Sequence, residues 1–314
     1  ERFPEVPFGD ILAGTLSIPE DVLRSVASRR ARDVALFSGT QDKFVVVAGP
    51  DFIRLPEEGE RGNAILKTAP SWSRHASLPG FVANEHLFCS LAVRIGLDCA
   101  ASVLVDTGLP DIGDGLLSRR FDIAGDGTEL FVEAPVICRT GLGSDREKYD
   151  FPAEELVATI PDDDAASRRR LAEGLFFSMC VGNTDMHLRN FSFAVSGSPA
   201  RGTKLRPAPL YDVANLVVYN LPYFALLFDT DEGARRLAVQ EPGDVETLCA
   251  FVRRYVGAER MLDLLARIDE ALPAMLPASC IDAQLASKIL RDVTERTATA
   301  RRWLEKSGGD SPAR

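Results

Sequence analysis

The chain has little histidine and no paired cysteine motif. Its three histidines, His75, His86 and His187, and six cysteines, Cys89, Cys99, Cys138, Cys180, Cys249 and Cys280, do not fall at zinc-ligand spacing, and no CxxC occurs. Most of the thiols sit in apolar settings such as LFCSLAV, FFSMCV and TLCAFV. That usage reads as reduced, buried thiols of a cytoplasmic protein, not as a disulfide framework. No apolar run is long enough to span a bilayer. The opening ERFPEVPFGD lacks the basic stretch and apolar core expected of a signal peptide. Walker-type G-x-x-x-x-G-K-[ST], internal repeats and low-complexity tracts are all missing. So is a net positive charge: a formal net charge of −10 argues against a general nucleic-acid binder and leaves RSVASRRARD and ASRRR as local basic runs. The chain opens on Glu1 and not on methionine, as expected of numbering that starts inside a longer chain or after processing.

What is present is a composition able to bury a large core, with 314 residues, 46% hydrophobic and 26% charged. One stretch stands out, VGNTDMHLRNFSF from Val181 to Phe193, followed by LYDV from Leu210 to Val213. Asp and Asn are poor helix and strand formers, so their clustering predicts a loop. GLFFSMCV before it and FSFAV after it predict buried elements that hold the loop rigidly. Asp185 precedes Asn190 with the spacing D-x-x-x-x-N. A phosphotransferase catalytic loop uses this spacing, its Asp taking the proton of the attacking hydroxyl and its Asn holding magnesium. Asp212, after the next hairpin, stands where a second metal-binding acid belongs.

Taken in order, residues 1–33 hold one predicted helix, IPEDVLRSVASRRA. VALFSGTQDKFVVVAG predicts a hairpin tipped by Ser38, Gly39 and Thr40, either a plain turn or a phosphate-covering loop. NAILKTAP predicts a short strand ending near Lys67, and a helix follows from about Val82 to Ile95. Glu85 is expected in its first turn, either as a helix-dipole contact or as an ion-pair partner for Lys67. SVLVDTG and GLLSRRFD read as two more strands, and Asp163 to Cys180 as a helix running into the loop. PDDDAA reads as a helix N-cap run, or as part of an acidic substrate pocket. Beyond Asp212 the remainder reads as helical, in VETLCAFVRRYV, ERMLDLLARIDEALPAML and DAQLASKILRDVTERTATARRWLEK.

Gly182, Asp185, His187, Arg189, Asn190 and Ser192, followed by Tyr211-Asp212-Val213, resemble the loop G-x-x-D-x-H-x-K-N-x-S and Y-D-hydrophobic segment of the HipA family of serine/threonine kinase toxins. Arg189 stands in place of the usual lysine. The resemblance extends to G-x-Q-x-K at Gly39, Gln41 and Lys43, to the Lys67 strand followed by Pro70, to Asn84-Glu85, and to Lys148-Tyr149. LLSRRFD is similar to the family's V-E-R-F-D hinge, with Arg119 where glutamate is usual.

The resemblance implies an α+β, bilobal protein-kinase-like fold. Residues 1–33 would be a helical lead-in, 34–122 a small β-rich lobe, 123–305 a mostly α-helical large lobe and 306–314 a flexible tail. It implies ATP and Mg2+ as cofactors. Asp185 would be the catalytic base, and Asn190 and Asp212 the metal ligands. Ser38, Gly39, Thr40, Gln41, Asp42, Lys43, Lys67, Arg119, Arg120, Phe121, His187, Arg189 and Tyr211 would line the nucleotide, with Glu85 pairing Lys67. Ser38 is also the expected autophosphorylation site, since Leu36 replaces the other serine of the family's S-x-S-G. The lead-in is short, like that of compact toxins from three-component toxin–antitoxin systems. The implied partners are therefore a helix-turn-helix antitoxin, a separate small N-subdomain-like protein, and a protein substrate such as an aminoacyl-tRNA synthetase. A non-catalytic pseudokinase and a small-molecule kinase are the alternatives.

Overall fold

The computed structural model describes residues 43–49, 52–68, 78–106, 114–123, 130–138, 149–198 and 202–307. The lead-in helix, Ser38 to Asp42, Pro70, Lys148 and residues 308–314 lie outside the described residues. A five-stranded sheet comes first, in the order β2-β1-β3-β5-β4. Its strands are β1 (Lys43–Ala48), β2 (Ile53–Arg54), β3 (Ala64–Thr68), β4 (Ser102–Asp106) and β5 (Asp114–Arg119). All its pairings are antiparallel. Val46, Ala48, Ile53, Ala64, Leu66, Val103, Val105 and Leu117 form its own apolar cluster. Helix α1 (Phe81–Arg94) lies between β3 and β4 in sequence, as expected. It begins at Phe81, so Glu85 sits past the first turn, which holds no acid. The helix-dipole reading of Glu85 is thereby corrected, because the dipole's field is concentrated in the terminal turn.

A second, larger cluster surrounds α4 (Ala165–Val181). Asp164 caps α4 by accepting from the Ser167 N–H at 3.0 Å, so PDDDAA begins a helix. Asp162 of the same run pairs with Arg168 at 2.5 Å. Before α4 come β6 (Leu130–Glu133), α2 (Ala134–Ile137), β7 (Phe151–Pro152) and α3 (Ala153–Ala158). After it, β8 (Ser192–Ser198) and β9 (Gly202–Pro207) make the expected hairpin, with β6 completing a β6-β8-β9 sheet.

The segment beyond Asp212 is not wholly helical. β10 (Tyr223–Phe228) and β11 (Arg235–Ala238) form a sheet with β7 in the order β11-β10-β7. YFALLF is too short for a stable helix, and Pro222 and the polar DTDEG bound it, so a strand wins. Helices α5 (Pro242–Val256), α6 (Ala258–Met275) and α7 (Ala283–Ser307) then pack as the periodicity predicts. α7 buries Leu285, Ile289, Val293, Ala300 and Leu304 in one stripe, and the charged Arg296 sits within that stripe.

Candidate active site

Register brings two lysines together. In the β1–β3 ladder Lys43 pairs directly with Lys67. Like charges opposite one another repel unless an anion lies between them. Asp212 is that anion: its Oδ2 accepts from Lys43 Nζ at 2.7 Å and its Oδ1 from Lys67 Nζ. Lys67 Nζ also donates to Glu85 Oε1 of α1. Lys67 and Glu85 are both buried, Glu85 being only 1% exposed.

The charges are unequal in their support. Burial works against an ionised Asp212, yet the attraction of Lys43 and Lys67 outweighs it and holds the carboxyl well below the usual range. Burial alone would lower Lys67, but Asp212 and then Glu85 outweigh that and raise it. Glu85 has one lysine instead of two, and its Oε2 finds no hydrogen-bond partner among the described residues. Burial therefore pushes Glu85 up to about 7, beyond what the Lys67 charge can offset, and Asp212 adds repulsion.

The second part is the loop that leaves α4. Gly182 ends the helix in the left-handed conformation at φ 75°. Asp185 follows with its side chain 49% exposed, and a short 3-10 turn covers Leu188–Asn190. Asn190 Nδ2 donates to the Asp185 carbonyl at 2.5 Å. This bond closes the D-x-x-x-x-N segment on itself and leaves the amide oxygen as the Asn190 atom suited to a cation. His187 is buried, its Nε2 lies 3.9 Å from Asp185 Oδ1, and its ring meets Tyr149 edge-on at 5.3 Å.

Tyr211 joins the two parts. Its hydroxyl donates to Arg189 O at 3.0 Å and shares a 2.9 Å hydrogen bond with Ser192 Oγ. Burial raises this phenol, which keeps it a donor. Asp212, the next residue, adopts φ 58°, a left-handed conformation uncommon for a side-chain-bearing residue. Phe121 packs against Tyr211 and Phe131 at 5.5 and 5.2 Å. Arg119 is exposed at the end of β5. Arg120 binds Asp122 and the Gly62 carbonyl.

The structure thus brings Lys43, Lys67, Glu85 and Asp212 into direct contact and ties Arg189, Asn190 and Tyr211 to the Asp185 loop. The Lys43–Asp212 contact does not follow from motif spacing; only strand register produces it. Asn215, Asp292 and Arg296, described below, were likewise not among the expected site residues. The asparagine of YDVAN offered a local hint for the first of them.

Comparison with known proteins gives the family and the fold. A sequence model of the HipA-like C-terminal domain matches residues 35–300. Sinorhizobium fredii proteins named putative kinase Y4mE and Y4dM are 30% identical over 192 residues and 28% identical over 178 residues. These matches cover 58% and 53% of this chain but only 42% and 41% of those proteins. A putative kinase of Haemophilus influenzae is 24% identical over 69% of this chain and 62% of its own length. Among solved structures, HipA in the toxin–antitoxin complex of Shewanella oneidensis MR-1 with HipB and operator DNA aligns at TM-score 0.63 and 17% identity. That alignment covers 97% of this chain and 74% of HipA. The Helicobacter pylori proinflammatory kinase CtkA aligns at TM-score 0.58 and 11% identity, over 88% and 95% of the two chains. The chain has the mixed helix-and-sheet fold of these kinases, and it belongs to the HipA-like C-terminal domain family.

Proposed function

We propose that this chain is a Mg-ATP-dependent kinase that phosphorylates a serine or threonine of a protein. The observation that carries the reading is Lys67 fixed between Glu85 and Asp212, with Tyr211 linking Asp212 to the Asp185–Asn190 loop. The donor set fits the nucleotide and its ion. Asp212 offers anionic oxygens to a cation, and Lys43 would have to release Oδ2 for an ion to take its place. Asn190 adds an amide oxygen, and magnesium prefers such hard donors. Among the described residues no group of three or more His, Cys, Asp or Glu could hold an ion by itself.

When bound, MgATP supplies the phosphoryl group and the cation that neutralises its charge. In this reading Asn190 and Asp212 would hold the metal, and Lys43 with the residues from Ser38 would cover the phosphates. Lys67, oriented by Glu85, would bind phosphate oxygens together with His187. Asp185, exposed and backbone-anchored through Asn190, orients the attacking hydroxyl and takes its proton. Positioning and charge neutralisation provide most of the rate. In this reading the sheet cluster would be the core of the small lobe, and the larger cluster, which also takes in Leu87, Phe88, Leu91 and Ile95 of α1, that of the large lobe.

The biological role proposed is that of a cytoplasmic toxin in a bacterial toxin–antitoxin system. The HipA complex with HipB and operator DNA supports an antitoxin partner, which in this reading would carry a helix-turn-helix and bind the DNA. A separate small protein would dock on the small lobe, and the substrate would be a translation component such as an aminoacyl-tRNA synthetase. Ser38 would be the autophosphorylation site. No helix among the described residues is long and apolar enough to cross a membrane. The test is γ-labelled ATP added to a lysate with the purified chain. One dominant labelled protein is expected; label confined to small molecules, or no transfer at all, would overturn the reading.

A further inference from the structure

Outside the lysine–carboxylate cluster, the segments that carry Glu85, Asp212 and Asp185 meet at a buried polar hub. Asn84, directly before Glu85, donates from Nδ2 to Asn215 O and accepts at Oδ1 from the Asn215 N–H, both at 2.9 Å. Asn215 lies three residues after Asp212. Its own Nδ2 donates to Asp292 Oδ2 at 2.7 Å, and its Oδ1 accepts from the Val218 N–H at 3.2 Å. Asp292 Oδ1 accepts from Arg296 Nη2 at 2.5 Å. Arg296 also donates to Cys180 O at 2.9 Å and to Val239 O at 3.1 Å.

Gly182, three residues before Asp185, sits in the middle. Its carbonyl accepts from the Leu216 N–H at 2.9 Å. A Cβ there would lie 3.1 Å from Arg296 Nη1, Asn215 Oδ1 and Val217 Cγ2 alike.

The arrangement is a costly way to pack these elements. Arg296 is 4% exposed within the apolar stripe of α7, and Asn84 and Asn215 are fully buried. Burying a guanidinium and two amides is costly unless their donors and acceptors are satisfied. An apolar stripe would have joined the same helices at less cost. The bonds run to the residue before Glu85, to the residue three after Asp212 and to the turn before Asp185.

We propose that Asn84, Asn215, Asp292 and Arg296 form a strut that fixes Glu85, Asp212 and Asp185 relative to one another. They are positioning residues for phosphoryl transfer. The catalytic meaning rests on the kinase reading above; the mechanical meaning does not.

The experiment uses the full chain with Asn84→Ala, Asp292→Asn and the double variant. Phosphoryl transfer per folded molecule is expected to lose about tenfold to a hundredfold in kcat in each single variant. KM for MgATP should change by less than about threefold, because misplacement acts on the reacting geometry more than on binding. The double variant is expected to lose no more than about threefold beyond the worse single, since the strut acts as one unit.

Hydrogen exchange without nucleotide gives a second readout. In either single variant, amides in residues 213–218 and 82–88 should exchange at least about tenfold faster, reporting local opening at both ends. Unchanged kcat in both singles, losses that multiply in the double, or faster exchange confined to α7 would overturn the strut. If the wild-type chain transfers no phosphate, the kinase reading fails. Exchange alone then decides: faster exchange in both segments supports the strut, and unchanged exchange overturns it.

Discussion

Glu85→Gln is expected to stabilise the protein while damaging its chemistry. Gln has the shape of protonated Glu85, so the variant imitates one protonation state of the wild type. Burial raises Glu85 from its ordinary 4.5 to about 7. Between those values the folded chain keeps a proton that the unfolded chain has released, so stability falls as pH rises through the window. Above about pH 7 the carboxyl is ionised in both states and the loss is complete; below 4.5 it is neutral in both and the loss is absent. The difference is worth about 3 kcal/mol at pH 8. For a chain of this size that is on the order of 5 °C in Tm. Glu85→Gln should therefore melt higher than wild type at pH 8 and converge with it near pH 4.5. Phosphoryl transfer at pH 8 should fall by about tenfold or more, because Lys67 loses one of the two carboxylates that orient it. Thermal unfolding from pH 4.5 to 8.5, followed by circular dichroism, checks the first half. A variant that melts lower than wild type at pH 8, or a gap that does not vary with pH, would refute the reasoning.

Asp185→Asn and Asp212→Asn should both abolish transfer yet differ in stability. Asp185 is half exposed, and calorimetry should find its variant within about 0.5 kcal/mol of wild type. Asp212→Asn leaves two lysines without their shared charge and should cost about 2–4 kcal/mol above pH 4, the cost declining at lower pH as the unfolded wild-type carboxyl takes up a proton that the folded one resists. Gly182→Ala combines an unfavourable φ with three 3.1 Å contacts and should lower denaturant stability by about 1–3 kcal/mol. Asp164→Ala removes only a helix cap and should cost about 1 kcal/mol in urea unfolding with unchanged kcat. Loss of activity there would instead favour an acidic substrate pocket.

The Asp185–Asn190 loop was legible because its Asp, Asn and Gly residues interrupt two long apolar runs, a local signal that tertiary context did not alter. Lys67 and Asp212 were legible as positions, one ending a strand and the other following a hairpin. Their mutual contact was not. It depends on β1–β3 register, on the length of α1 and on the left-handed turn at Asp212, each set by packing and not by neighbouring residues. Lys43 was expected to face phosphate and is found on Asp212 because register puts it opposite Lys67. Arg296 stayed hidden for another reason. In an amphipathic helix as charged as α7, one buried arginine within the apolar stripe looks like any other arginine on the polar face. β10 and β11 were missed because a six-residue apolar run carries no decisive periodicity.

The central claim is that the Asp185 loop and the Lys67–Glu85–Asp212 cluster form one phosphotransfer site. The most direct test incubates the purified wild-type and Asp185→Asn chains with magnesium and γ-labelled ATP in a lysate, then identifies the labelled residue by mass spectrometry. Serine or threonine label on a protein with wild type, and none with the equally folded variant, is the predicted result. Equal labelling by both chains, or none by wild type, would contradict the claim.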